Sequence, residues 1–125
     1  MYKNGSDYIY SPSDLNAFLE NESVTWLDRY NLEFPGKLIR DNPTEEDELV
    51  FKSGEEHEAR ILDVFRSEMD VAVIDRSEAA FHKTIAAMRE GRQVIYQARL
   101  ELEPFAGWSD FLIRIPGNSE FGNWQ

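Results

Sequence analysis

Gln93-Val94-Ile95-Tyr96-Gln97-Ala98-Arg99-Leu100-Glu101-Leu102, answered by Trp108-Ser109-Asp110-Phe111-Leu112-Ile113-Arg114-Ile115, is the stretch on which the fold turns. The first run alternates with period two. Val94, Tyr96, Ala98, Leu100 and Leu102 share one face, and Ile95, Gln97, Arg99 and Glu101 share the other. Glu103-Pro104-Phe105-Ala106-Gly107 supplies a turn, so the second run reads as an antiparallel hairpin partner. Pro116-Gly117-Asn118 marks a further turn.

Upstream of the hairpin, Val71 to Asp75 is a short β-branched run that reads as a strand. A helix follows, with Ser77 as its N-cap, Phe81, Ile85 and Met88 as its apolar residues, and Gly91 as its stop. Thr44 caps a longer helix over about 45 to 69, whose acidic first turn, Glu45 to Glu48, suits the helix dipole. At 100° per residue, Val50, Gly54, His57, Ile61 and Phe65 form one stripe, so His57 is expected to point toward the core. Glu58 flanks that stripe beside Phe51, Leu62 and Met69. Gly54 costs helix stability, which predicts a close approach at that turn. Near the N-terminus, Ser11-Pro12-Ser13-Asp14 is a helix start with a capping answer from Asp14. The apolar pattern Leu15, Phe18, Leu19 breaks at Asn21-Glu22-Ser23 and resumes at Trp26, Leu27 and Tyr30, giving two short helices or one bent one. The order helices, strand, helix, strand, strand is an α+β layout: N-terminal helices on a small, mainly antiparallel sheet.

The chain has 125 residues, room for one ordinary domain. Within it, residues 1–43 read as a helical segment and loop and residues 44–125 as a partial αβαββ core. With 13 Lys+Arg against 24 Asp+Glu the net charge is −11, which opposes unaided binding to phosphate backbones or anionic lipid. The absence of cysteine excludes disulfides, thiolate nucleophiles and cysteine-ligated metal clusters. No apolar run is long enough to span a membrane and the N-terminus lacks a signal-peptide core, so the expected location is cytoplasmic. GxGxxG, Walker and GxSxG motifs are missing as well.

Asp110 stands in an otherwise half-buried strand, where a carboxylate needs a partner. It is either a structural acceptor of backbone or Arg99 hydrogen bonds, or a ligand to a hard divalent cation, which repays carboxylate desolvation. His57 carries the same choice between core residue and ligand. Glu58 is either an amphipathic wedge or the acceptor that orients the imidazole. The eight Asp/Glu between Asp41 and Glu58 read as a solvated face, and Lys83, Arg89, Arg92 and Arg99 as a weak basic patch. His82, beside Lys83, reads as exposed and inert.

Four blocks in order, Ser11-Pro12-Ser13-Asp14-Leu15 with Phe18-Leu19, Gly54-Glu55-Glu56-His57-Glu58, Val94-Ile95-Tyr96-Gln97-Ala98, and Gly107-Trp108-Ser109-Asp110-Phe111-Leu112, resemble the RecB-like branch of the PD-(D/E)XK nuclease superfamily. The resemblance spans nearly the whole chain but only the first half of that family's core. It implies a restriction-endonuclease-like fold, DNA as partner, and Mg²⁺ or Mn²⁺ held by His57 and Asp110, with Asp110 catalytic and Glu58 and Gln97 as further candidates beside the metal. The metal would polarise the phosphate and activate water. The family's acidic-x-Lys strand and Gln-x-x-x-Tyr helix do not appear before Gln125, and Glu120 has Gly122 where the lysine would stand. With the family's next strand absent, the hairpin from Gln93 to Ile115 is left with one open apolar edge, which predicts self-association by strand addition or by a strand exchanged between copies. The expectation is therefore an N-terminal piece of a metal-dependent DNA nuclease, itself inactive. The alternatives are a non-catalytic acidic α+β interaction module and, third, an acidic DNA mimic.

Overall fold

The structure, a computed structural model, describes residues 1–125 apart from Arg40 and Asn118. The turn expected at Pro116-Gly117-Asn118 includes Asn118, which lies outside the described residues. The fold is α+β, and the chain forms two compact units, Met1–Asn42 with Glu101–Gly107 and Pro43–Leu100 with Trp108–Gln125.

In the first unit, β1 (Tyr2–Asn4) and β2 (Asp7–Ile9) make an antiparallel hairpin with Tyr2 opposite Ile9. Gly5, at φ +62°, takes the left-handed conformation that a two-residue loop needs. This hairpin was not expected, because strands of three residues carry too little alternation to read. Helix α1 (Pro12–Glu20) starts as its sequence predicts. The N–H of Ser11 donates to Asp14 at 2.7 Å and the N–H of Asp14 donates back to the Ser11 hydroxyl at 3.3 Å. Asn21 closes α1 and caps α2 (Glu22–Glu33), its side chain accepting from the N–H of Ser23, so the break makes two helices.

The second unit opens with α3 (Glu45–Glu68), capped by Thr44 in a reciprocal pair with Asp47. A four-stranded mixed sheet follows, in the order β3 (Val71–Val73), β4 (Val94–Leu102), β5 (Phe105–Ile115), β6 (Asn123–Trp124). β3 and β4 are parallel, Val71 opposite Val94. A parallel pair requires a crossover, and α4 (Ala80–Glu90) provides it. β4 and β5 are joined by only Glu103 and Pro104, a connection that antiparallel neighbours alone can use. The expected five-residue turn is thus two residues long.

Three more expectations are corrected. Helix α4 begins at Ala80 with Ala79 as its N-cap, because the Ser77 hydroxyl is turned to Asp75 instead. A Cβ added at Gly54 would meet nothing within 4 Å, so no neighbour approaches that turn. The hairpin edge is not fully open: β6 returns to pair Asn123 with Ile115 and Trp124 with Arg114. Gly91 does stop α4, at φ +75°.

The core of this unit is a cluster of Ala72, Ile74, Ala80, Ala87, Ile95 and Ala98, with Met88, Trp108, Leu112 and Trp124 packed against it. Small alanines on α4 let the helix sit close to β4, where Val94 and Ile95 are both 0% exposed.

Candidate functional site

Ile95 and Ala98 both belong to the core cluster, yet residues three apart on a regular strand face opposite ways. The alternation read from the sequence is therefore broken between them. The cause is Gln97, whose φ of +56° is in the left-handed region that side-chain-bearing residues rarely occupy. A single residue of this kind shifts the strand's parity and twists its side chain out of the ladder. Beyond the irregularity, the N–H of Arg99 donates to the hydroxyl of fully buried Thr84 on α4, at 3.0 Å. Strand β3 has ended at Val73, so Gln97 lies past the end of its neighbour.

Gln97 uses that position as a bridge. Its Nε2 donates to Oε1 of Glu58 on α3 at 2.5 Å, and its Oε1 accepts from Nη2 of Arg76, in the segment after β3, at 2.9 Å. Both ends of the amide are satisfied, one by an acid and one by a base. The Arg76 guanidinium lies over the Trp108 ring at 4.9 Å, and that of Arg99 lies 5.5 Å from the same ring. Tyr96 packs against Phe111 with ring centroids 5.2 Å apart, and Phe111 against Phe65 of α3 at the same distance, both pairs tilted. Burial, foremost, raises the Tyr96 phenol above its ordinary value; hydrogen bonding to Glu58 and its charge add to this, Gln97 opposes it, and the charge of Asp110 contributes last.

His57 is not where the sequence puts it. It is exposed, and the residues α3 turns inward are Glu58, Ile61, Leu62 and Phe65, a stripe rotated by one position. Val50 and Gly54, on the expected stripe, are exposed too. The rotation follows from the large side chains: Phe65 finds Phe111, and Leu62 is the buried residue of the helix. Asp110 is also exposed. Trp108 and Leu112, two positions to either side of it, pack on the cluster that contains Ala80 and Ala87, whereas Phe111 meets α3. Alternation therefore groups Asp110 with the α4 side of β5, and packing of a His57 stripe on the sheet face of Asp110 is not found.

Among the described residues, no three His, Cys, Asp or Glu side chains converge to hold a metal ion. The donors present do not form a cage for Mg²⁺, which takes near-octahedral oxygen coordination and gives up water reluctantly. Sequence reasoning missed Arg76 and Trp108 as partners and Thr84 as the clip on Arg99. Only the pair Trp108 and Asp110 lay close enough in sequence to be associated. In comparisons with known proteins the chain matches no family model, no curated protein and no solved structure.

Proposed function

We propose that this chain contributes part of the active centre of a metal-dependent DNA nuclease of the RecB-like kind, with Asp110 as its catalytic carboxylate and as a candidate ligand for Mg²⁺ or Mn²⁺. One observation supports this most. Two of the blocks that carry the resemblance, 39 residues apart along the chain, meet directly: Glu58 from α3 accepts a hydrogen bond from Gln97 of β4. The place is also apt, since the segment after parallel strand β3 opens where α/β sheets bind ligands. The described residues do not complete a metal site, and no step through a metal is derived for them. Their own part is to hold Glu58 in a fixed rotamer and to place guanidinium groups beside Asp110's strand.

The first test is the encoding reading frame. Continuation past Gln125 into an acidic-x-Lys strand supports the proposal, and a stop codon directly after Gln125 overturns it. The second is incubation of the 125-residue protein with single- and double-stranded DNA in Mn²⁺. No cleavage is expected; cleavage that survives Asp110→Ala overturns the role given to Asp110.

A second reading, a non-catalytic interaction module, is favoured by the first half of α3. Leu49 and Val50 are each 68% exposed and Phe51 62% exposed, more apolar surface than one short helical stretch normally leaves bare. Light scattering at high concentration separates the readings. Self-association abolished by Leu49→Ser with Phe51→Ser supports the module, and a monomer at every concentration counts against it.

A further inference from the structure

Helix α2 carries a cation that the first unit holds in place without neutralising. Two basic groups lie over the Tyr8 ring of β2, the Lys3 ammonium 5.4 Å from its centroid and the Arg29 guanidinium 4.2 Å from it. Lys3 is paired with Glu33 at 3.0 Å. Arg29 has no carboxylate partner among the described residues, although the chain carries a net charge of −11. Asp7 and Glu103 share with Arg29 the lining of a polar cleft beside the β1–β2 hairpin, and neither pairs with it. Arg29 also lines a second cleft, of about 420 Å³, whose other walls are Phe18 of α1 and Glu22, Ser23, Thr25 and Trp26 of α2. That volume is in the range of small-molecule sites. Phe18 is 47% and Trp26 62% exposed, so both rings show bare apolar surface, and Trp26 is steadied by stacking on Tyr30 with centroids 5.3 Å apart. Thr25 lies one helical turn before Arg29, on the same face. Its Oγ1 is buried without a hydrogen-bond partner, an unusual state for a helical threonine, whose hydroxyl can bond a carbonyl of the preceding turn.

We infer that this cleft is a binding site for a small organic carboxylate with a ring-sized apolar tail, its carboxylate on Arg29 and its tail against Phe18 and Trp26. A guanidinium presents its N–H donors in a planar fork that matches a carboxylate, and stacking on Tyr8 occupies its face while leaving that fork free. Being oriented beforehand, it loses less entropy on binding than a free side chain would. The two bare rings select for the tail: covering them removes apolar surface from water, which a hydrated inorganic anion cannot do. The Thr25 hydroxyl is covered by its surroundings, so a carboxylate oxygen becomes its acceptor only as a neighbouring side chain gives way. Glu22 is seven residues from Arg29, about 10 Å along the helix axis, so its charge stands at the opposite end of the cleft from the carboxylate. The inference is independent of the nuclease reading and of any metal.

The test is a ¹H–¹⁵N NMR titration of the whole protein with 3-phenylpropionate, read at the indole N–H of Trp26 and the Nε–H of Arg29, with Trp108 and Trp124 as internal references. Saturable shifts at Trp26 and Arg29 are expected, with a dissociation constant of roughly 1–10 mM, ordinary for so small a ligand, while the other two indoles stay still. The neutral amide 3-phenylpropanamide should bind about tenfold more weakly than the acid, and Arg29→Gln should weaken binding of the acid by about the same factor. Phe18→Ala, read at Trp26, should weaken it about fivefold. Arg29 and Phe18 are exposed, so both variants are expected to fold, which far-ultraviolet circular dichroism verifies; the comparison of acid with amide needs no variant. Absence of saturable shifts in the native protein, or an amide that binds as tightly as the acid, overturns the inference. So does acetate or inorganic phosphate moving the Trp26 indole as far as 3-phenylpropionate at equal concentration, which would mark an adventitious ion only. Tighter binding of 3-phenylpropylamine than of the acid would overturn it as well, by showing that Glu22 rather than Arg29 sets the charge of the ligand.

Discussion

Thr84→Val separates a hydrogen bond from the shape that carries it. Thr84 is 0% exposed; its hydroxyl donates to the carbonyl of Ala80 at 3.0 Å and accepts from the N–H of Arg99 at 3.0 Å. Valine has almost the same outline, so the packing of this fully buried position is kept. The Ala80 carbonyl still accepts within α4 and loses little. The Arg99 N–H loses its acceptor in a partly buried place, at a cost of about 1–3 kcal/mol. Burying a methyl in place of the hydroxyl returns part of this, so the net loss should be about 1–2 kcal/mol. Thr84→Ser is the control: it keeps the acceptor and removes one methyl, costing about 1 kcal/mol. Urea unfolding followed by circular dichroism gives both values, and they overlap. Amide hydrogen exchange at Arg99 discriminates. The local loss in the valine variant should speed that amide about 5- to 30-fold beyond any global change, at about 1.4 kcal/mol per decade, whereas the serine variant leaves it in step with its neighbours. A valine variant as stable as the native protein, with Arg99 equally protected, would refute the view that α4 holds β4 at this point.

Other substitutions test the remaining parts. Gly54→Ala should stabilise the protein by about 0.5–1 kcal/mol in urea unfolding, because the site is helical and open; destabilisation would mean that something packs there. Gln97→Val should destabilise by more than Gln97→Gly, since a β-branched residue fits a φ of +56° worst and glycine best; the reverse order in thermal melts would contradict the backbone conformation. Ser11→Ala should lose about 1 kcal/mol by removing one half of the cap on α1, with Ser11→Asn close to native. The folded Tyr96 phenol keeps its proton to higher pH than the unfolded value of about 10, so its contribution is whole below that pH and is lost as pH rises through the folded value. Tyr96→Phe should therefore flatten the alkaline fall in stability, measured by urea midpoints between about pH 9 and 11; an unchanged slope would count against the burial of the phenol.

Much of the local structure was legible because local physics writes it. The Ser11 and Thr44 caps, the break at Asn21 and the stop at Gly91 depend on groups within four residues of one another. The parallel placement of β3 beside β4, in a sheet expected to be mainly antiparallel, comes from α4 acting as a crossover between them. The strands of unit one and β6 were illegible, since two or three residues carry no periodicity.

For the site, the sequence determined which chemistry was available: no thiolates, two histidines, a carboxylate in a strand and an amide two positions before a clipped arginine. It also determined that α3 has an apolar side, but a helix of 24 residues can roll by one position at little local cost. The roll goes with Leu62, the buried residue of the helix, and it turned Glu58 inward and left His57 exposed while Phe65, common to both stripes, meets Phe111. Gln97 is the sharper case, because glutamine carries no local preference for φ above zero. Its conformation is held by Glu58 from one side of the fold and Arg76 from the other, 39 and 21 residues away along the chain. Interactions over such separations exist only once the sheet and both helices have packed, and they outweigh the strand's own preference for alternation.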